Sequence, residues 1–296
     1  MANIGSKLIK AIKDKGNELE GEMSFFEHLE ALRWHLIRAA LAVIIFAVAA
    51  YTFYDEIFEN VIMAPTHPNF WAYRMMCNMG ELFQRLIPAW FSAKDFCVQS
   101  IHVNLINTEM AGQFTLKINS SLMIGLVLGI PYLFWELWRF IKPALHEKER
   151  KAATGFVFYA SFLFILGVMF GYFIITPLSI RFLAGFIVSP SIQNLFDIDS
   201  YISSVSTLTL ATGVVFQLPI LVYIVSSLGF LTPKLMRSSR RYAIVVILII
   251  AAIVTPTPDA LTMTVVAVPL LFLYELSIIV AGVVERRRNA KELMNT

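Results

Sequence analysis

The sequence predicts an all-α integral membrane protein with six transmembrane helices and both ends on the cytoplasmic side. Three observations predict it. Hydrophobic residues make up 57% of the 296-residue chain and charged residues only 15%, with a mean hydropathy of +0.68; a soluble domain carries about a quarter charged residues. The apolar residues fall in long runs divided by short charged segments, the pattern of membrane spans rather than of one large soluble core. Lys and Arg are also unevenly placed. Nineteen of the 24 lie in residues 1–38, 139–151, 231–241 and 285–296, against four in 55–110 and 177–198 and the single Lys117. Six spans with N-in and C-in is the even arrangement that puts the basic segments in the cytoplasm.

Composition also excludes. A net charge of +3 is too small to imply nucleic acid. No H-E-x-x-H, Walker A, G-x-S-x-G or metal-spaced Cys/His cluster occurs, so no catalytic residue, metal or cofactor is expected. The first 22 residues are charged and lack an apolar core, so no cleavable signal peptide is expected.

Residues 1–24 form a cytoplasmic tail, read as either an amphipathic surface helix or a frayed end. The membrane domain occupies 25–284. Its first span follows FFEHLEALRWHLIRAAL (residues 25–41), where Glu27, Glu30, Arg33 and Arg38 precede the uncharged run Ala39–Tyr54. Residues 55–110 make a long outer loop, too interrupted by Pro65, Pro68 and Pro88 to span and too apolar for a free linker. Short helices on the outer membrane face are expected there. Both cysteines, Cys77 and Cys97, fall in this loop, and a disulfide and a pair of buried thiols are both compatible with it.

The second span is expected from about Gly112 to Ile141, with Lys117 snorkelling at its outer end. The third runs over about Ala152–Thr176 and stops at Pro177. The fourth covers about Tyr201–Phe230 and contains Gln217 beside Pro219, read as interhelical glue or as part of a cavity. A basic cytoplasmic loop, residues 231–241, leads to a last pair expected to be short. Tyr242–Val254 has fewer than the roughly 20 residues a bilayer requires, and Ala260 onward follows a Pro-rich turn. The pair is compatible with a re-entrant hairpin or with two spans through thinned bilayer. Asp259 reads as a helix cap, Glu275 as a solvated inner-end acid, and residues 285–296 as a cytoplasmic tail.

The most informative window is residues 131–151, PYLFWELWRFIKPALHEKERK, an apolar helix leaving the bilayer through tryptophans into a charged cluster. Its pattern W-x-F-x-x-P-x-L-x-x-x-E-R, from Trp138 to Arg150, resembles the TatC family, the multi-spanning receptor subunit of the twin-arginine protein translocase. Further matches follow in order. His28, Leu29, Leu32 and Arg33 resemble the family's H-L-x-E-L-R-x-R, with Ala31 in place of its Glu and His35 in place of its second Arg. Phe216–Pro219 resembles F-E-x-P with Gln217 for the acid, and TPTPD (residues 255–259) resembles T-P-P-D with one residue inserted. The outer loop is longer than the family leads one to expect.

The resemblance implies a receptor for twin-arginine signal peptides of folded precursors, working without nucleotide hydrolysis on the proton-motive force. It implies small single-span TatA/TatB-type partner subunits, homo-oligomers within a larger complex, and the cytoplasmic (inner) membrane of a prokaryote. The signal-peptide dock it implies comprises Glu149, Arg150, Phe140 and Arg33, with Glu30 or Glu27 replacing the acid absent at Ala31. Two adjacent guanidinium groups favour carboxylates held near the membrane surface. A secondary transporter of a small solute is the alternative, though no inverted repeat with matching broken helices is visible.

Overall fold

In the computed structural model, residues 25–86, 104–142, 155–189, 191, 194–227, 229–255 and 259–293 are described. Among the described residues, five helical stretches are long and apolar enough to cross a membrane. A sixth apolar helix, of 15 residues, completes the set.

Span 1 is α1 (Phe25–Thr52), continuous from the charged motif into the apolar run. Its face away from the bundle carries Leu36, Ile44, Ile45 and Val48, all exposed as lipid-facing residues should be. The outer loop then folds as two tight helical turns around Pro65 and an amphipathic helix, α2 (Trp71–Leu86). The short outer helices expected of residues 55–110 are therefore present. Strand β1 (Leu105–Ile106) follows.

Span 2 is α3 (Gly112–Ile141), with the bounds the apolar run predicts. It lies antiparallel against α1 at unusually close range. A Cβ at Gly125 would fall 2.6 Å from Ala47 Cα, and one at Gly129 would fall 2.8 Å from Val43 Cγ2. The G-x-x-x-G spacing thus lets two backbones approach where no hydrophobic effect drives them together in lipid.

Span 3 corrects an expectation. Pro177 does not end it: α4 (Phe156–Phe170) passes through a π-turn, Gly171–Ile175, into α5 (Thr176–Gly185), and the span runs from Phe156 to Gly185. A proline removes one amide and crowds the preceding turn. The wider π-turn just before it lets the helix continue. Strand β2 (Phe196–Asp197) then pairs in parallel with β1, a two-residue ladder between the outer loops that the helical periodicity does not announce.

Span 4 is α6 (Ile198–Val215) and α7 (Leu218–Ser227), interrupted at Phe216 and Gln217 before Pro219. After a one-and-a-half-turn helix, α8 (Pro233–Ser238), span 5 is α9 (Arg240–Val254). At about 1.5 Å per residue it is about 22 Å long, short of a hydrocarbon core of about 30 Å. Span 6, α10 (Ala260–Leu293), has 34 residues and is not short. Of the pair expected to be short only the first is, and the last helix runs on through Leu293 into the terminal basic segment.

Three apolar clusters hold the bundle. The largest joins spans 3 to 6 through Ile175, Leu208, Phe216, Ile247, Ala251 and Leu270. A second, with Tyr54, Ile62, Leu116 and Tyr201, ties the outer loop to spans 2 and 4. Met236, Ile278 and Ala281 close the inner end of spans 5 and 6.

Candidate functional site

The antiparallel packing of α1 and α3 brings their inner ends together. The register set by Ala47 against Gly125 and Val43 against Gly129 continues to His35 against Glu136. The N-terminal motif and the motif that ends span 2 are therefore neighbours. Here the ring of Phe140 meets that of His35 edge-on, with centroids 6.0 Å apart.

The centre of this inner end is Glu136, 1% exposed in an otherwise apolar helix turn. Its Oε2 is bonded to His35 Nδ1. Its Oε1 accepts the Tyr132 hydroxyl at 2.9 Å and lies 3.4 Å from Arg38 Nε and 3.5 Å from Arg139 Nη1. An isolated carboxylate buried this far is strongly disfavoured; here a ring, a phenol and two guanidinium groups from two helices offset the cost. Sequence reasoning missed Glu136. The available signal was one acid between Trp135 and Leu137 inside a span, a position where ionisable residues are rare.

Around this centre, Glu30 and Arg33 are exposed on α1. Glu27 lies on the same helix, in its first turn, and its side chain falls outside the described residues, as do Glu149 and Arg150 altogether. Of the expected dock, Phe140, Arg33 and Glu30 are thus placed at one inner end.

The intramembrane pair sits elsewhere. Gln217 Nε2 donates to the Ala160 carbonyl at 3.1 Å, tying the break in span 4 to span 3 of the same chain. Pro219 is buried beside it. Between spans 2, 3 and 4 an apolar groove of about 320 Å³ opens, lined by Met123, Val127, Val168, Tyr172 and Thr209.

On the outer side, Lys117 does more than snorkel. Its Nζ lies 3.8 Å from Asp55 and over the rings of Tyr51 and Tyr54, joining the outer ends of spans 1 and 2. Cys77, half-buried in α2, is disulfide-bonded. Cys97, the only other cysteine, lies outside the described residues. Asp259 caps α10, accepting from Thr262 N at 2.7 Å, as the sequence suggests. Glu275 is half-exposed and pairs with Arg240 at 2.8 Å across spans 5 and 6. Among the described residues no three His, Cys, Asp or Glu converge as a metal would require.

The family model for Sec-independent protein translocase protein (TatC) matches residues 27–269. The chain belongs to the TatC family. It is 35% identical to the TatC of Blattabacterium sp. subsp. Periplaneta americana, over 91% of this chain and 98% of the relative. To the TatC of Deinococcus radiodurans it is 34% identical, over 87% of this chain and 85% of the relative. A crystal structure of the twin arginine translocase receptor TatC superposes with a TM-score of 0.62 at 31% identity, covering 88% of this chain and all of that one. A second, in the detergent DDM, gives 0.63 at 31% identity, covering 86% and 99%. The family match takes in both halves of the inner end, from the N-terminal motif through span 2, and it settles the sixth span: this TatC chain is a six-helix, multi-pass membrane protein.

Proposed function

We propose that the chain is the receptor subunit of a twin-arginine translocase in the inner membrane of a prokaryote. It binds the paired-arginine signal peptides of folded precursors at the inner ends of α1 and α3. The observation that carries this reading is the juxtaposition of two motif segments far apart in sequence. His28–Arg33 on α1 and Trp138–Phe140 on α3 share one end of the bundle, and nine residues beyond Phe140 the chain reaches Glu149. Glu30 and Glu149 then offer two carboxylates at the membrane surface to two guanidinium groups, which favour bidentate, charge-assisted pairing. Small single-span TatA/TatB-type subunits and further copies of this chain complete the translocase. The proton-motive force drives transport, and no nucleotide site is needed.

Co-purification from the native membrane, followed by cross-linking to a twin-arginine peptide, tests the proposal. Cross-links at α1 and at residues 143–151, lost when the two arginines become lysines, are expected. Cross-linking that ignores the arginine pair would refute it. The solute-transporter alternative gains no support from the relatives, and uptake of a small solute by the pure protein in liposomes is the result that would revive it.

A further inference from the structure

The two oxygens of Glu136 do different work. Oε2 faces His35, deep between α1 and α3, while Oε1 holds Tyr132 closely and two arginines loosely. The carboxyl side chain is 2% exposed, whereas those of Arg38 and Arg139 remain 41% and 52% exposed. A guanidinium arriving from the cytoplasm therefore meets the arginines before it can reach the acid. From Glu30 to Arg38 and from Glu136 to Lys142, the two inner ends carry Arg33, Arg38, Arg139 and Lys142 against two acids, Glu30 and Glu136. This is a surplus of positive charge at the place proposed to receive a doubly positive peptide.

We infer that Glu136 is an electrostatic positioning residue of the dock. It does not touch the peptide; its single negative charge offsets one of the two positive charges of Arg38 and Arg139 and holds both side chains against the α1–α3 seam, so that a guanidinium group can approach Glu30 without meeting two uncompensated cations. The inference rests on the docking reading above. Ala31 offers no acid on α1, and His35, one turn further along the same helical face, is bonded to an acid supplied by α3 instead. Because Glu136 is sealed from water, its field is screened far less than that of a surface carboxylate.

The test measures affinity of the full chain, in lipid nanodiscs, for a synthetic twin-arginine peptide at several salt concentrations. Glu136→Gln keeps the shape and removes one charge. Binding should weaken by about tenfold at low salt, the effect of one extra positive charge near two others, and the deficit should shrink as salt rises. Adding Arg139→Gln to Glu136→Gln restores the net charge and should recover most of the affinity. A purely mechanical joint between α1 and α3 would gain nothing from that second change, since the His35 and Tyr132 contacts are unaffected by it. Arg139→Glu in the otherwise intact chain should tighten binding, and this variant leaves the buried cluster's acid in place should Glu136→Gln fail to assemble. Wild-type affinity in Glu136→Gln, no recovery in the double variant, or weaker binding in Arg139→Glu would each overturn the inference. If the wild-type chain ignored the peptide, the docking reading would fall first and this inference with it; binding by the wild type with the wrong variant pattern would sink the inference alone.

Discussion

At the scale of single residues the docking reading turns on Glu149. A hydrogen bond to a charged group contributes about 1.5–3 kcal/mol, roughly ten- to a hundredfold in affinity. Glu149→Gln should weaken signal-peptide binding by about that factor, whereas Glu147→Gln, two residues away, should change little. Titrations of Glu30→Gln and Glu27→Gln then decide which acid stands in for the one missing at Ala31; wild-type affinity in both would leave Glu149 without an α1 partner. Gln217 makes a second residue-scale prediction. Its amide donates to the Ala160 carbonyl within the chain and shuttles no proton, so export should survive Gln217→Glu, whose neutral carboxyl, the form favoured in lipid, can donate to the same carbonyl. Gln217→Leu removes this cross-helix bond and leaves the Ala160 carbonyl bonded only within its own helix, which should loosen span 4 against span 3. A lower thermal midpoint for the leucine variant in detergent would show it; an unchanged midpoint would contradict the role.

At the scale of elements, what the sequence reveals and what it hides have separate physical causes. The bounds of α3 are legible because the uncharged stretch from Ile118 to Trp135, with Lys117 before it and Arg139 after it, has one reading in a bilayer. The course of span 3 is not, because Pro177 has the same local chemistry whether it ends a helix or follows a π-turn, and only the packing of Ile175 and Leu208 selects the second. Glu136 escapes for a similar reason: its partners His35 and Arg38 lie about a hundred residues away and meet it only through the α1–α3 register. The parallel β1–β2 ladder is two residues long, too short for any period to show. That ladder is pinned by Asp197, whose carboxylate accepts the Thr108 hydroxyl at 2.6 Å and the Asp199 amide at 2.9 Å. The Thr108 bond first, and the backbone amides after it, hold its pKa below the ordinary aspartate value. A lowered folded-state pKa contributes stability above the unfolded value, which is lost as pH falls through the folded one. Protection against hydrogen exchange at the first turn of α6, taken relative to the intrinsic rate at each pH, should accordingly fall below about pH 4, and Asp197→Asn should flatten that dependence. Protection that stays constant down to about pH 2 would remove Asp197 from this role.

The outer helix α2 makes its own prediction. Phe70, just before it, stacks on Phe173 of the span 3 π-turn, Trp71 meets the same ring edge-on, and Tyr73 donates to the Pro65 carbonyl. Its Cys77 is disulfide-bonded, and Cys97 is the one partner the chain can supply. A bridge closing about twenty residues stabilises by roughly 3 kcal/mol in the chain-entropy account. Reduction should therefore raise hydrogen exchange in α2 before it unfolds the bundle, because the aromatic contacts at Trp71 remain. Mass spectrometry that found both thiols free in protein from the native membrane would end the idea of an intrachain bridge.

For the whole molecule, the deciding question is the geometry of spans 5 and 6. α9 is about a turn and a half shorter than a helix needs to be to cross, at about 22 Å against a core of about 30 Å. Arg240 and Arg241 stand at its inner end, where long side chains can reach the headgroups from below the surface, and Arg240 holds Glu275 of α10. The inner ends of the two helices are thus fixed to the cytoplasmic side, and the outer tip must reach upward from there. Ile247 and Ala251 bury against Val266 and Leu270 of α10 along the way, so the pair is one packed hairpin and not two loose strands of chain. A bilayer thinned around α9 satisfies both constraints at a cost of only fractions of a kcal/mol per Å. The resulting prediction is one of sidedness. Reporters after Trp90 and Gln193, and a tag between Thr257 and Ala260, should be labelled by membrane-impermeant reagents from outside, and reporters after Lys148, Ser238 and Arg288 from the cytoplasm. Cytoplasmic labelling of the tag alone would make the hairpin re-entrant and leave four spans. The molecule would then have no thinned sector, and α10 would have to fold back at its own apolar face, against the continuous 34-residue helix it forms.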